Sequence, residues 1–279
     1  MQAWNQNREI KMKLDILDLA NSKVGEMQLP QQFHEEIRPD LILRTVLAIQ
    51  SHKRKPYAAS PLAGKRASAK LSRRRRDYRG SYGFGISRVP RKILSRRGTR
   101  MNWVGAFAPG TVGGRKAHPP KAEKVWWKKI NERERLKAIR SAISATALKE
   151  IVVKRGHLTP KNYPFILDDK FESLEKTKNV AQILEKLGLS DELARVEEKK
   201  IRAGKGKSRG RKYVKKNGPL IVVSKPSRLM KVAINIPGVD VIDVKKLNAE
   251  LLAPGGKPGR LTLWTASSIE TIKKENLFM

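Results

Sequence analysis

Residues 53–129 hold 23 lysines and arginines, two acids (Asp77 and Glu123) and only nine Ile, Leu or Val in 77 positions. A stretch this charged and this poor in branched apolar side chains cannot close a hydrophobic core of its own. Ordering its backbone costs roughly 1–2 kcal/mol per residue, and little apolar surface is on hand to offset that. Its net charge of +21 also repels itself until a polyanion neutralises it. A second stretch, residues 199–216, holds ten Lys or Arg and no acid. Together the two account for all but +4 of the formal net charge of +35, so the rest of the 279-residue chain is electrostatically ordinary. The sequence therefore predicts one conventional domain carrying two strongly cationic insertions.

The long insertion is not a plain solubilising tail. It lies between two well-patterned segments, and it carries eight of the 16 aromatic residues, among them Tyr57, Tyr78, Tyr82, Phe84, Trp103, Phe107, Trp126 and Trp127. Disordered linkers are poor in aromatics. Cations interleaved with rings and with nine glycines suit a segment that takes its shape on nucleic acid: charges meet phosphates, rings stack, and glycine lets backbones approach.

The remainder has the pattern of an α/β protein. Leu14 to Leu19 and the piece ending at Leu29-Pro30 are short strand candidates. Pro39 opens a helix with Leu43, Val46, Leu47 and Ile49 along it, which runs to about His52. A second helix is expected from Asn131, with Glu134 completing a capping box, and Gly156 stops the run. Its small residues Ser141, Ala142, Ser144 and Ala145 permit close packing, and Ala138, Ile139 and Ile143 are expected in the core. Phe165 to Leu167 is a buried strand ending at Asp168 and Asp169; a helix through Val180, Ile183, Leu184 and Leu187 ends at Gly188. Further strands are expected at Leu220–Val223, Val239–Val244 and Leu261–Trp264. Further helices are expected around Leu229–Ala233 and Leu247–Leu252, and from about Ser267, where Glu270 offers another capping box. Short apolar strands alternating with helices imply a mostly parallel sheet flanked by helices on both faces. The expected organisation is a single globular α/β domain from residues 1–52, 130–198 and 217–279, a long extended loop at 53–129 and a short basic loop at 199–216.

Catalytic and metal chemistry find little support. With no cysteine, disulfides, thiolate ligands and thiol nucleophiles are excluded. The four histidines, His34, His52, His118 and His157, are dispersed and lack metal-site spacing. Gly204-Lys205-Gly206-Lys207-Ser208 imitates a phosphate loop, but Ile201 stands where that pattern needs glycine, and no strand is expected to lead into it. Gly83-Phe84-Gly85 lacks the third glycine of a dinucleotide fingerprint. Asp168 and Asp169, adjacent at a strand end, point apart and have no identifiable acid or base partner. No apolar run approaches the length of a membrane span, and the N-terminal residues build no secretory signal, so the chain is expected to work in the cytoplasm, with no membrane partner.

The candidate RNA-binding residues are therefore the cations and rings of the insertions. The run Arg73, Arg74, Arg75, Arg76, followed by Asp77, Tyr78 and Arg79, suits phosphate, because guanidinium forks match phosphate oxygens and stack on bases. Arg54, Lys65, Arg66, Arg88, Arg91, Arg96, Arg97, Arg100 and Trp103 extend the set. Gly113-Gly114-Arg115, followed by Lys116 and His118, places flexible backbone beside a fork donor. Of Trp126 and Trp127, one is expected to pack on the domain and the other to meet a base. In the second patch Arg202, Lys205, Lys207, Arg209, Arg211 and Lys212, spaced by glycines and followed by Tyr213, are expected to form a loop gripping phosphates. So many cations favour a large, structured RNA over a short oligonucleotide. DNA stays open as an alternative, because no helix-turn-helix or finger pattern is present to settle the matter.

The order of motifs resembles the large-subunit ribosomal protein L-four family in its archaeal and eukaryotic branch. The matching pieces include Arg38-Pro39-Asp40-Leu41-Ile42, Gln50 to Tyr57, Ala63-Gly64-Lys65-Arg66, Arg88-Val89-Pro90-Arg91 and Gly113 to Pro120. They continue with Ile130 to Glu134, Ala138 to Ile143, Arg155-Gly156-His157, Ile201 to Tyr213, Asn235 to Val241, Leu251 to Gly255 and Gly259 to Thr262 with Trp264-Thr265. Residues 1–10 lie outside the resemblance, which covers about 90% of the chain. It implies a non-catalytic constituent of the large ribosomal subunit that organises its rRNA through the 53–129 loop. The loop tip, near Gly80 to Arg91 with Tyr82, Gly83, Phe84, Gly85 and Arg88, would line the nascent-peptide exit tunnel beside the L-twenty-two protein. The 199–216 insertion would be the branch's extra RNA-binding element. No cofactor is implied beyond Mg2+ as part of the rRNA environment. The absence of a long extension after Met279 points to an archaeal source. Binding to its own messenger RNA and free nucleic-acid chaperoning are the competing functions.

Overall fold

A computed structural model describes residues 13–77, 80–98 and 100–279. Lys53–Trp126 make up one unit and the rest of the described chain the other.

In the larger unit, β1 (Lys13–Leu17) and β2 (Lys23–Gln28) form an antiparallel hairpin with an irregularity between Ile16 and Leu17. Helix α1 (Pro39–His52) opens on a proline, whose missing N–H is an unpaired position at a helix start in any case. In the smaller unit, β3 (Arg91–Arg97) pairs antiparallel with β4 (Arg100–Gly105). The larger unit resumes with α2 (Glu132–Ala147), α3 (Lys149–Arg155), β5 (Ile166–Leu167), α4 (Thr177–Leu184) and α5 (Ser190–Glu197). Strands β6 (Lys200–Ile201) and β7 (Tyr213–Val214) then form a separate two-stranded hairpin. The chain ends with β8 (Leu220–Val223), α6 (Leu229–Ala233), β9 (Asp240–Asp243), α7 (Ala249–Leu252), β10 (Thr262–Thr265) and α8 (Ala266–Lys274).

The main sheet has the order β2-β1-β5-β10-β8-β9. Strand β1 runs parallel to β5, β10 parallel to β5 and β8, and β8 parallel to β9. Side chains alternate across it, as the period of two requires. Leu220 and Val222 join Ile42, Val46, Ile139, Ile143, Trp264 and Ile269 in one core layer, beneath α1, α2, α7 and α8. Ile221 and Val223 join Val152, Val180, Ile183, Leu184, Leu229 and Leu263 in the other, beneath α3, α4 and α6. The central strands are buried on both faces, which is why they are continuous apolar runs in sequence.

Several local expectations are corrected. In α1 the buried row is Ile42, Thr45, Val46 and Ala48, while Leu43 and Leu47 stay 45% and 43% exposed. They occupy the adjacent row, one residue around the helix. Neither capping box forms. Asn131 stands at the head of α2 without a side-chain cap bond, and Glu134 faces Arg44 at 3.1 Å rather than turning back to it. Ser267 lies inside α8, and its hydroxyl donates to Glu172 at 3.0 Å. The helical run from Asn131 breaks at Leu148, which is extended, before α3 ends at left-handed Gly156. Ala138, Ile139 and Ile143 are buried as expected, as are the small residues Ser141, Ala142, Ser144 and Ala145. Among the described residues no helix is long and apolar enough to cross a membrane.

Candidate nucleic-acid interface

Open parallel sheets bind ligands in the crevice beyond the carboxyl ends of their strands. Here that crevice is filled by the chain's own carboxylates. Glu172 accepts from Ser224 N (2.8 Å) and Ser224 Oγ (2.9 Å) after β8, and from Thr265 Oγ1 (2.6 Å) at the end of β10. Asp169 Oδ1 accepts from Ser267 N at 2.7 Å in the first turn of α8, and Asp168 accepts from Asp169 N at 2.8 Å. A helix start already satisfied by a carboxylate does not offer its N–H groups to a phosphate. Among the described residues, no group of three or more His, Asp or Glu could hold a metal ion. His157 is buried with Nδ1 2.6 Å from Glu192.

The exposed chemistry lies on the insertions. In the smaller unit, only Ala106 among the described hydrophobic residues is buried, and none of its described residues is part of either core layer. Turns, one hairpin and ring stacking give it shape instead. At its two ends Tyr57 and Trp126 stack with centroids 5.2 Å apart and planes 24° apart. The Arg54 guanidinium lies 4.0 Å from the Trp126 ring centroid and Lys124 Nζ 4.6 Å from it, both within cation–π range. Ala59 N donates to Pro120 O at 3.1 Å, tying the outgoing and returning chain together. Trp126 thus packs on Tyr57 within the smaller unit, and Trp127 is the exposed member of the pair at 64%. Within the larger unit, Lys128 N donates to Ser51 Oγ (2.9 Å) and Lys128 O lies 3.1 Å from His52 Nε2, so the chain after Trp126 already belongs with α1.

Further along, Gly64 adopts φ +70° with Gly114 so close that a Cβ on Gly64 would sit 2.4 Å from the Gly114 carbonyl. A Cβ on Gly114 would sit 2.0 Å from Ala108 O. Gly114, named above as flexible backbone beside Arg115, is needed for the chain's approach to itself, whereas Gly113 (φ +71°) faces open space. The run from Arg73 to Arg76 is neither helix nor strand. It forms a turn in which Arg76 takes φ +59° and the Ser72 hydroxyl donates to Asp77 at 2.6 Å. Arg73, Arg74, Arg75 and Arg76 are all exposed, as are Arg54, Lys65, Arg66, Arg88, Arg96, Arg97, Arg100, Lys116 and His118; Arg91, Trp103 and Arg115 are half-buried. Tyr78 and Arg79 lie outside the described residues.

The hairpin of β3 and β4 was not anticipated. Ile93 and Trp103 face each other across it, and Arg91 lies 5.4 Å from the Trp103 ring centroid. At its far end Arg97 stands opposite Arg100. Like charges at a directly opposed pair destabilise a hairpin unless an anion screens them. Between the arginine turn and β3, Arg88 donates to Tyr82 OH at 3.2 Å and Arg75 lies 5.9 Å from the same ring. Gly80 is buried, while Tyr82, Gly83, Phe84 and Gly85 are exposed, Phe84 by 71%.

In the second patch the expected loop is a hairpin. Ile201 pairs with Tyr213, Arg202 N donates to Lys212 O at 2.8 Å, and Gly204 and Gly210 take φ +79° and +78°. A two-residue strand does lead into the Gly204–Ser208 segment, contrary to expectation, but the chain returns as β7 after one tight turn at Lys207–Arg209 and opens no α-helix. Arg202, Lys205, Lys207, Arg209, Arg211, Lys212 and Tyr213 are all exposed. The contact of Tyr57 with Trp126, and the place of Lys124 beside it, escaped the reading of the sequence; their only signal was their position close to the two ends of the cationic stretch.

The Ribosomal protein L4/L1 family matches residues 27–275. Over 268 residues the chain is 53% identical to the large ribosomal subunit protein uL4 of Nanoarchaeum equitans, covering 96% of this chain and all of that protein. It is 45% identical over 263 residues to the protein of the same description from Archaeoglobus fulgidus, with 93% and 97% covered. The identity is likewise 45% over 265 residues to that of Methanocaldococcus jannaschii, with 94% and 99% covered.

Proposed function

The chain belongs to the Ribosomal protein L4/L1 family, in its archaeal branch, and from that premise we propose that it is a structural, non-catalytic constituent of the large ribosomal subunit that binds and organises rRNA in the cytoplasm. The observation that carries the reading is the smaller unit itself: a segment rich in exposed guanidinium and ammonium groups, with Arg97 set against Arg100, and with no share in either core layer. Phosphates supply the counter-charge that such a segment lacks. The β6–β7 hairpin presents a second set of cations in the same way. On the same reading, the 53–129 loop is the RNA-penetrating element. Its tip around Gly80 to Arg91 lies at the nascent-peptide exit tunnel, next to the L-twenty-two protein and the passing peptide, where exposed Phe84 and Tyr82 meet solvent or substrate rather than a core.

Residue-level crosslinking of the protein to RNA in intact large subunits tests the proposal. Crosslinks concentrated in 53–129 and 199–216, and sparse on β8 and β10, are expected. Crosslinks spread evenly over the larger unit, or a protein that fails to sediment with large subunits, would overturn it.

A further inference from the structure

A cleft of about 740 Å³ opens beside the Tyr57–Trp126 stack, lined also by Lys116, Pro119, Glu123 and Lys124. Its walls are flat apolar surfaces, one indole, one phenol ring and the Pro119-Pro120 pair, and its rim carries ammonium groups. That combination suits a nucleotide: a base has two faces to stack, and its phosphates seek cations. One lining group does not fit a simple phosphate grip. Glu123 is one of only two acids in residues 53–129. The other, Asp77, accepts from Ser72 at 2.6 Å within its own turn. Glu123 sits at the corner of the Lys121–Lys124 turn, closed by Lys124 N donating to Lys121 O at 3.3 Å. Among the described residues it makes no ion pair, although Lys116, Lys121 and Lys124 line the same cleft.

A carboxylate repels phosphate, so on an RNA-facing cleft its use is with a base edge. It has only acceptor oxygens. The Watson–Crick edge of guanine sets two donors side by side, N1–H and the 2-amino group, which match the two oxygens. Adenine and cytosine each set one donor beside an acceptor, and uracil flanks its single donor with two acceptors. We propose that this cleft holds one unpaired guanine nucleotide of the bound RNA. The base lies against Pro119-Pro120 and the rim of the Tyr57–Trp126 stack, the phosphate meets Lys116 and Lys124, and Glu123 reads the base edge. The inference rests on the RNA-binding reading above and names the nucleotide that one part of that surface selects.

Competition binding with the full-length protein tests it. The probes are uridine-rich single-stranded RNA nonamers that differ only in one central guanosine or adenosine. The central guanosine is expected to bind about tenfold more tightly, the scale of one bidentate base contact. In Glu123→Gln, whose exposed side chain carries no part of the fold, that preference is expected to fall to about one, while adenosine-probe affinity stays the same or rises slightly. Equal affinity for both probes in the unsubstituted protein overturns the assignment, as does a guanosine preference that survives Glu123→Gln. Either result leaves general RNA binding standing. Failure to bind both probes overturns the cleft assignment alone, because the RNA-binding reading is tested separately by crosslinking in intact large subunits.

Discussion

At the scale of single residues, the unit built without a core depends on backbone approaches that only glycine permits. Gly114→Ala would place a methyl 2.0 Å from Ala108 O, and at Gly64 the collision is with the Gly114 backbone, so relaxation by a side-chain shift is not available. Limited proteolysis of large subunits carrying Gly114→Ala is expected to cut faster within 53–126, with the fragment from α2 onward as resistant as before. The larger unit depends on buried charge. Glu192 is fully buried and accepts from Arg195 Nε (2.7 Å) and Leu158 N (3.0 Å), with His157 Nδ1 at 2.6 Å. Burial opposes its ionisation, but the bonds from Arg195, His157 and Leu158 prevail and hold its carboxyl below the ordinary 4.5. A carboxyl depressed in the folded state stabilises above its unfolded value and loses that contribution as pH falls through the folded one. Glu192→Gln is therefore expected to cost about 3 kcal/mol at neutral pH, the loss typical of breaking a buried pair. Its denaturant midpoint should also vary less with pH below about 4.5 than that of the unsubstituted protein. Equal acid sensitivity would show that the carboxyl is not depressed. Arg260, 1% exposed and bonded to Gly218 O, Leu251 O and Asp240, belongs to the same class of buried charge. Neither group was legible in the sequence: Glu192 stands among Asp191, Arg195, Glu197 and Glu198, and Arg260 in a glycine- and proline-rich turn, so nothing local marks either as buried or names its partner.

At the scale of elements, legibility followed burial. Strands β8 and β10 and helix α2 were readable because a two-sided apolar environment forces continuous apolar runs or an apolar stripe. The caps failed because long-range partners took the side chains: Arg44 took Glu134, and Glu172 took Ser267. The hairpins β3–β4 and β6–β7 were missed because their strands are cationic and mostly exposed, and the one alternation among them, Met101 and Trp103 between Arg100 and Asn102, is too short to mark a strand. Their register rests on a few cross-strand contacts, Ile93 against Trp103 above all. Within the large subunit, Trp103→Ala is expected to raise amide exchange across 91–105, while in the free protein the melting temperature of the larger unit stays unchanged. The tie between Tyr57 and Trp126 makes a further prediction. Deletion of residues 58–112 keeps that stack, and the remaining protein is expected to melt cooperatively within about 4 °C of the full chain, equivalent to about 1 kcal/mol for a domain of this size. Loss of cooperative melting would mean that the sheet domain needs the deleted segment.

At the scale of the whole molecule, charge is the organising quantity. The partition into a domain of +4 and two insertions carrying the rest was visible before any element was placed, and the candidate cations it singled out are overwhelmingly exposed among the described residues. What the charge could not reveal was where rings and glycines also meet the chain itself, as Gly114 does at Ala108 and Trp126 at Tyr57. If about ten of these cations meet phosphate, binding to single-stranded rRNA segments should weaken with a log–log salt slope of about −7. A slope near −2 would leave most of the insertion charge unexplained. The most direct test of the central claim is hydrogen exchange on the full-length protein, free and within the large subunit. Free, amides of 53–126 and 199–216 are expected to exchange near the rate of an unfolded chain while β8 and β10 stay protected; in the particle, both sets are protected. Cooperative protection of 53–126 in the free protein would contradict the claim that RNA gives this segment its lasting shape.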